Sequence, residues 1–356
     1  MSVFDPFLYA EHDGRRCVAI NAFETERMRQ AGLEVVSYQE LGFDDLLASG
    51  MSREEAVLEM MLRACTSVGI RSAAVPRAFP LEVADHLRAH GIELHVDREL
   101  FTSRRRVKTE TEMKGIRRAQ RAAEAGMDAA RELFRRAEEH GGQLLLDGEQ
   151  LTSERVKRAV VQAFSEHDAT ADEFTVSHGA QSAIGHERGS GPIAPGEPIV
   201  IDLFPRDRES GCYADMTRTY VVGTPDADLR EYHRLCLQAL ERALAGTRAG
   251  VVGHDLFAET CRLFEEHGYA TLLSKQPGEV MEEGFLHTLG HGVGLQLHEK
   301  PSLGVARDDP LVAGDVISIE PGLYRKGYGG CRLEDLVLVT ESGIENLTDF
   351  PYDLEP

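Results

Sequence analysis

Gly196-Glu197-Pro198-Ile199-Val200-Ile201-Asp202 and Gly314-Asp315-Val316-Ile317-Ser318-Ile319-Glu320 are built on one plan. Each begins with a glycine six residues before an acid, and the acid closes an alternating apolar run. Each is followed, after a gap, by a Gly-Cys-x-x-acid segment: Gly211-Cys212-Tyr213-Ala214-Asp215 in the first case, Gly330-Cys331-Arg332-Leu333-Glu334 in the second. A second apolar run then opens, Thr217 to Val222 and Leu336 to Val339. The pattern predicts a duplicated strand–turn–strand hairpin with one carboxylate on each strand, four in all. Side chains alternate faces along a strand, so Asp202 shares a face with Val200, and Asp215 with Thr217 and Thr219. Four carboxylates gathered at equivalent inward positions repel strongly unless cations lie between them.

Working outward from the hairpins, helical patterns precede each copy. Thr109-Glu110-Thr111-Glu112 is a capping box opening a helix expected to run to about Glu139 and to end at Gly141-Gly142. A helix from about Thr152 to His167 follows it. Two more are expected near Asp228–Ala245 and His254–His267, the latter stopped by Gly268. Helix–helix–hairpin therefore occurs twice, at about 109–224 and 225–356, which implies two halves related by a pseudo-twofold, sheets inside and helices outside.

Upstream, residues 1–103 alternate short apolar runs with helical patterns and predict a smaller α/β domain. Strands are expected at Cys17–Ile20, Ser72–Val75 and Ile92–Val96, with helices at Leu81–His90 and after the capping box Ser52-Arg53-Glu54-Glu55. The basic stretch Arg104-Arg105-Arg106-Val107-Lys108 is the expected boundary, read as a solvated linker, so that the second domain covers 104–356.

Nitrogen ligands are available near the acids. His287-Thr288-Leu289-Gly290-His291-Gly292-Val293-Gly294 brackets His291 with glycines that suit a tight backbone path, and His298 follows shortly after. His186 lies 16 residues before Asp202 in a Gly- and Pro-rich approach. Oxygen-rich ligation with a few nitrogens suits Mn²⁺, Co²⁺ or Zn²⁺. A net charge of −21 argues against partners with phosphate backbones or anionic membranes, and no apolar run approaches a membrane span. Six cysteines without a CxxC pair, after an N-terminus lacking a secretory pattern, predict reduced thiols in the cytoplasm.

VIDLFP, YADMTRT, HTLGHGVGLQLHE, SIEPGLY and CRLEDLVLVT together resemble the ordered signature of the pita-bread metallopeptidases, which include methionine aminopeptidases, Xaa-Pro aminopeptidases, prolidases and the metal-free creatinases. The motifs span about residues 186–340, and residues 1–103 resemble the N-terminal domain of the Xaa-Pro and creatinase-like branch in length and element order. The resemblance implies an α+β pita-bread fold and a homodimer. It implies two divalent metal ions, Mn²⁺ before Co²⁺ or Zn²⁺, held by Asp202, Asp215, His291, Glu320 and Glu334. It implies hydrolysis by a metal-bridging hydroxide with Glu320 moving its proton, His186 and His298 flanking the substrate, and Arg332 orienting the carboxylates. Arg332-Leu333-Glu334-Asp335 resembles the Arg-x-Glu-Asp of the Xaa-Pro enzymes, so the expected substrate is a dipeptide or longer peptide with proline at its second position.

Two features depart from the family pattern. The gap between Asp202 and Asp215 is two residues longer than usual, predicting a larger hairpin tip, and Glu187-Arg188 follows His186 where an aromatic is more familiar. The competing readings are a methionine-type or other aminopeptidase on the same scaffold, and a non-catalytic peptide-binding relative. Completeness of the five-ligand set argues against the latter and against a creatinase-like activity.

Overall fold

The computed structural model describes residues 5–356, which divide into two compact units between Phe101 and Thr102. In the first, strands Leu8–His12 and Arg15–Ile20 form a hairpin, and Glu34–Ser37 adds to it in parallel. Ser72–Val75 pairs in parallel with Glu93–Val96. Ser52 accepts from the Glu55 N–H while the Glu55 side chain returns to Ser52, so the helix Arg53–Ser67 starts where the capping box places it. Its Ala56, Met60, Met61 and Ala64 face is buried against Ala19, Tyr38 and Phe43, a small α/β core.

The basic stretch corrects the sequence reading. Arg104, Arg105 and Arg106 are not a solvated linker but the last turn of a helix, Arg98–Arg106, where cations face the negative end of the helix dipole. Arg106 grips Asp315 with Nε and Nη2 at 3.0 and 2.6 Å and also donates to the Pro310 carbonyl at 2.8 Å. Lys108, 2% exposed at its side chain, pairs with the equally buried Glu299 and donates to the Arg105 carbonyl. A charge run reads as solvated only when its counterions are out of sight. Here they lie about two hundred residues downstream.

In the second unit the long helix Glu110–Arg136 opens on the Thr109–Glu112 capping box. It stops at Ala137, short of the expected end, because Glu138–His140 turns into a small antiparallel sheet with Gln143–Leu146. Helix Ser153–Glu166 packs beside it, with Gly126 leaving room for the Phe164 ring, since a Cβ there would lie 2.7 Å from it. Helices Ala227–Gly246 and Gly253–Glu266 are their counterparts in the second half.

Strand alternation then divides the faces. Ile199, Ile201, Leu203, Met216 and Tyr220 share one apolar core with the first helix pair. Ile317, Ile319, Val337 and Val339 share another with the second pair. The opposite faces of both hairpins are left to form the centre of the unit.

The hairpins are antiparallel as predicted, Ile199–Leu203 with Met216–Tyr220 and Val316–Ile319 with Asp335–Val339. They belong to unequal sheets, the first three-stranded and the second five-stranded, in which Gly290–Gly292 lies between Glu299–Leu303 and Val316–Ile319. Their registers also differ, so the acids are not strictly equivalent. Ile319 faces Asp335, which sets Glu320 opposite Glu334, whereas Asp202 faces Thr217. Asp215 lies two residues before that position, on the same face and just beyond the last pair, Leu203 with Met216. The longer tip of the first hairpin folds onto the long helix. Its Asp207 is held by Arg118 Nε and Nη2 at 2.8 and 2.9 Å and by the Ser210 N–H at 2.7 Å.

Candidate metal centre

His291 reaches the acids from a strand that passes unusually close to its neighbours. A Cβ at Gly290 would lie 2.0 Å from the Ser318 carbonyl oxygen, and one at Gly292 would lie 2.3 Å from that of Lys300. Only glycine allows those approaches, and they bring the imidazole into line with both hairpins. His291 Nδ1 lies 3.2 Å from the Gly292 carbonyl, while Nε2 faces Glu320 Oε1 at 3.4 Å and Asp215 Oδ2 at 3.6 Å. Ligand atoms of Asp215, His291 and Glu334 all lie within 4.8 Å of one another.

Asp202 enters on the opposite flank and is fixed by Arg332, whose Nη2 lies 2.5 Å from Asp202 Oδ2. The remaining guanidinium nitrogens are also engaged: Nε donates to Thr217 Oγ1 at 3.1 Å and Nη1 to the Tyr324 hydroxyl at 2.9 Å. Thr217 Oγ1 in turn donates to Glu334 Oε2 at 2.7 Å. Beyond Tyr324, His287 Nε2 lies 2.9 Å from the phenol oxygen and Nδ1 lies 2.7 Å from the Thr288 carbonyl. The donors order themselves along this chain: Arg332 to Tyr324, Tyr324 to His287, His287 to the backbone. Burial and the nearby Arg332 drop the His287 pKa to about 3, so this imidazole is neutral, as the chain requires.

The electrostatics are those of a site made for cations. Burial first, then Glu334, Asp202 and Glu320, push the Asp215 pKa well above the ordinary carboxylate range. Burial, Glu320 and Asp202 do the same to Glu334. Burial, opposed by Arg332 and reinforced by Asp202, holds Glu320 at about 7. Burial and His298 lower His291 to about 4, leaving it in the neutral form that ligates metals. Among the described residues, Asp202 Oδ1 and Glu334 Oε1 are buried without a hydrogen-bond partner. Buried carboxylate oxygens without partners are costly, and divalent cations would satisfy both at once. The donor set therefore fits hard or borderline divalent ions.

All the acids and histidines singled out from sequence line one cavity of about 590 Å³. His298 stands with its ring 4.2 Å from that of His291. His186 sits on the approach loop at φ 60°, a left-handed conformation uncommon for a non-glycine residue. Phe204, Leu272, Leu286 and Leu297 supply apolar wall. Thr217, Tyr324 and His287 are the functional neighbours that sequence reasoning did not single out. All three lay inside the quoted motifs, but nothing local distinguishes them. Arg218 was also missed, although a cation between Met216 and Tyr220, at a core-facing position, was a readable signal.

The model of metallopeptidase family M24 matches residues 114–341. Over 180 residues the chain is 36% identical to the Xaa-Pro dipeptidase of Pyrococcus furiosus, a stretch covering 50% of this chain and 48% of that protein. It is 29% identical over 289 residues to the Xaa-Pro dipeptidase of Pyrococcus horikoshii, covering 80% and 75% respectively. Its structure is similar to that of the Xaa-Pro dipeptidase from Bacillus anthracis, with a TM-score of 0.80 over 99% of this chain and 90% of the other at 24% identity. That last likeness carries the fold, and the pseudo-twofold α+β unit is the pita-bread architecture that the sequence implied. The family match runs from the first turns of the long helix to the last hairpin strand and takes in every acid and histidine of the centre, so the chain belongs to metallopeptidase family M24.

Proposed function

We propose that the protein is an exopeptidase that uses two divalent cations to hydrolyse the peptide bond before proline, in Xaa-Pro dipeptides or at the start of longer peptides. The observation that carries this reading is the convergence of Asp202, Asp215, His291, Glu320 and Glu334 on one cavity in which two buried carboxylate oxygens have no hydrogen-bond partner among the described residues. These five residues are the ones that would hold the ions. When bound, the ions supply Lewis acidity at the scissile carbonyl and bring the pKa of water into the neutral range. Manganese is the proposed physiological ion, and the proposed state is a cytoplasmic homodimer. The six cysteines, all free and buried, are consistent with a reducing compartment.

The chain's own groups then divide the work. Arg332 holds Asp202 in one orientation and, with Thr217, keeps Glu334 from rotating. Glu320 accepts the proton of the attacking water at its carboxylate and returns it toward the leaving nitrogen. Burial and the nearby His186 lower the His298 pKa, so its neutral ring can donate to the carbonyl oxygen as charge develops there. His186 flanks the same cavity and serves the leaving nitrogen. The apolar wall of Phe204, Leu286 and Leu297 suits a pyrrolidine ring.

The test is to load the purified protein separately with Mn²⁺, Co²⁺ and Zn²⁺ and assay Ala-Pro, Ala-Pro-Ala and Met-Ala-Ser. Cleavage of either proline peptide is expected. Cleavage of Met-Ala-Ser alone would assign the methionine-type activity, and bound metal without cleavage would assign a binding role.

A further inference from the structure

His178, at the end of strand Thr175–His178, is buried between two acceptors. Its Nδ1 lies 2.6 Å from Glu197 Oε1 and its Nε2 lies 3.0 Å from the Ser190 carbonyl oxygen. Neither a carboxylate nor a carbonyl can donate, and a neutral imidazole has one N–H. Both contacts are hydrogen bonds only when His178 is an imidazolium. The surroundings are shaped for this arrangement. Gly179 has φ 50°, and a Cβ there would lie 2.3 Å from Glu197 Oε2, so glycine lets the carboxylate reach the ring. Glu197 Oε1 also accepts from the Ala194 N–H at 2.6 Å.

The Ser190 carbonyl belongs to the loop that carries His186. Gln181 grips the same residue, accepting from the Ser190 N–H at 2.9 Å and donating to its carbonyl at 3.0 Å. The Val176 N–H donates to the Arg188 carbonyl at 3.0 Å, and a Cβ at Gly189 would lie 1.8 Å from the Val176 oxygen, so the loop is pressed onto the strand that ends in His178. The charged groups that act on the ring are Glu197, before the next strand, and Glu154, on helix Ser153–Glu166; Lys157 of that helix interacts with Glu154 and with Glu187 and Arg188 of the loop. Lys157 is committed to the Gly189 carbonyl, Arg188 pairs with Glu173, and Glu154 accepts from the Gly191 N–H.

We infer that protonated His178 is a positioning residue that clamps the loop 185–191 and so holds His186 at the substrate cavity. The inference rests on the assignment of His186 to the substrate wall. Burial alone would lower the His178 pKa, but Glu197, the Ser190 carbonyl and Glu154 reverse that and raise it above 6.5. The clamp is therefore complete below that ordinary value and is lost as pH rises through the raised one.

The test uses full-length Zn²⁺-loaded protein, His178→Gln and Glu197→Gln. In wild type the His178 ring resonances, assigned by comparison with His178→Gln, should titrate above the ordinary histidine value, and Glu197→Gln should move that titration down. Amide exchange at residues 185–191 should speed up as His178 deprotonates and be fast at all pH values in His178→Gln. With a cleaved Xaa-Pro peptide, kcat/KM should fall about tenfold through the same ionisation, the loss of one charge-assisted hydrogen bond, and His178→Gln should start at the lower level with its metal content unchanged. Titration at or below the ordinary value, or wild-type loop protection in His178→Gln, would overturn the inference. The ring titration and amide exchange need no turnover, so a failed peptidase assignment would not be confused with a failed clamp.

Discussion

Thr217 and Glu334 hold each other across the pseudo-twofold: the Glu334 N–H donates to the Thr217 carbonyl at 3.0 Å, and the Thr217 hydroxyl donates to Glu334 Oε2 at 2.7 Å. One strand from each half is thus stitched to the other at the centre of the proposed metal site. Thr217→Val keeps the shape and removes the hydroxyl. The expected result is a metal affinity lower by about 10- to 100-fold, the usual range for lost outer-shell support, with little change in melting temperature. Calorimetric metal titration beside thermal unfolding checks it.

Arg218 lies beneath this junction with no side-chain exposure and pairs with the equally buried Asp335 at 2.9 Å. It also donates to the carbonyls of Glu334, Phe350 and Pro351 and stacks at 4.5 Å on Tyr352, tying down the C-terminal segment. Arg218→Met strands a buried carboxylate and several carbonyls. A loss of about 3–5 kcal/mol is expected. At roughly 2–4 °C per kcal/mol for a unit of this size, the drop in melting temperature is measurable by calorimetry.

Acid should loosen the hairpin tip. Burial alone would raise the Asp207 pKa, but Arg118 and the Ser210 hydroxyl and N–H more than offset it and hold the group at about 2, below its ordinary 3.8. A depressed carboxylate stabilises above its unfolded pKa and loses that contribution as pH falls through its folded value, so the window is about pH 4 to 2. Asp207→Asn should be less stable at neutral pH and show a flatter stability profile across that window. Melting temperatures of both proteins from pH 7 to 2 decide it.

Gly290→Ala places a methyl 2.0 Å from the Ser318 carbonyl oxygen, within the backbone of the neighbouring strand. The strand carrying His291 must shift, so loss of bound metal and of activity together is expected, with destabilisation of about 1–3 kcal/mol from overpacking. Metal content by elemental analysis and urea unfolding provide the readouts. Retention of stoichiometric metal would refute the role given to this close approach.

Local signals were readable in the sequence. The capping boxes at Ser52 and Thr109 mark helix starts to the residue, because a cap is completed within four residues. Strand parity correctly separated Asp202 and Glu320 from Ile201 and Ile319, because alternation needs no tertiary knowledge. What escaped depends on distant partners. Thr217 matters through Glu334, Tyr324 through Arg332 and His287, and Arg106 through Asp315, none of them visible in a short window. The register offset escaped for a related reason, since two hairpins with similar acid spacing can pair differently without any change in parity.

Arg106 and Lys108 bear on how such a chain can be taken apart. A polypeptide trimmed to the matched span beginning at residue 114 would abandon both cations and the Thr109 cap while keeping Asp315 and Glu299, two buried carboxylates left without their counter-charges. Fusing a different leading segment at that point would fail for the same reason, even if the new segment folded well. The seam along which this chain could be inherited, swapped or shortened therefore lies upstream of Arg106, at a place chosen by acids 191 and 209 residues away.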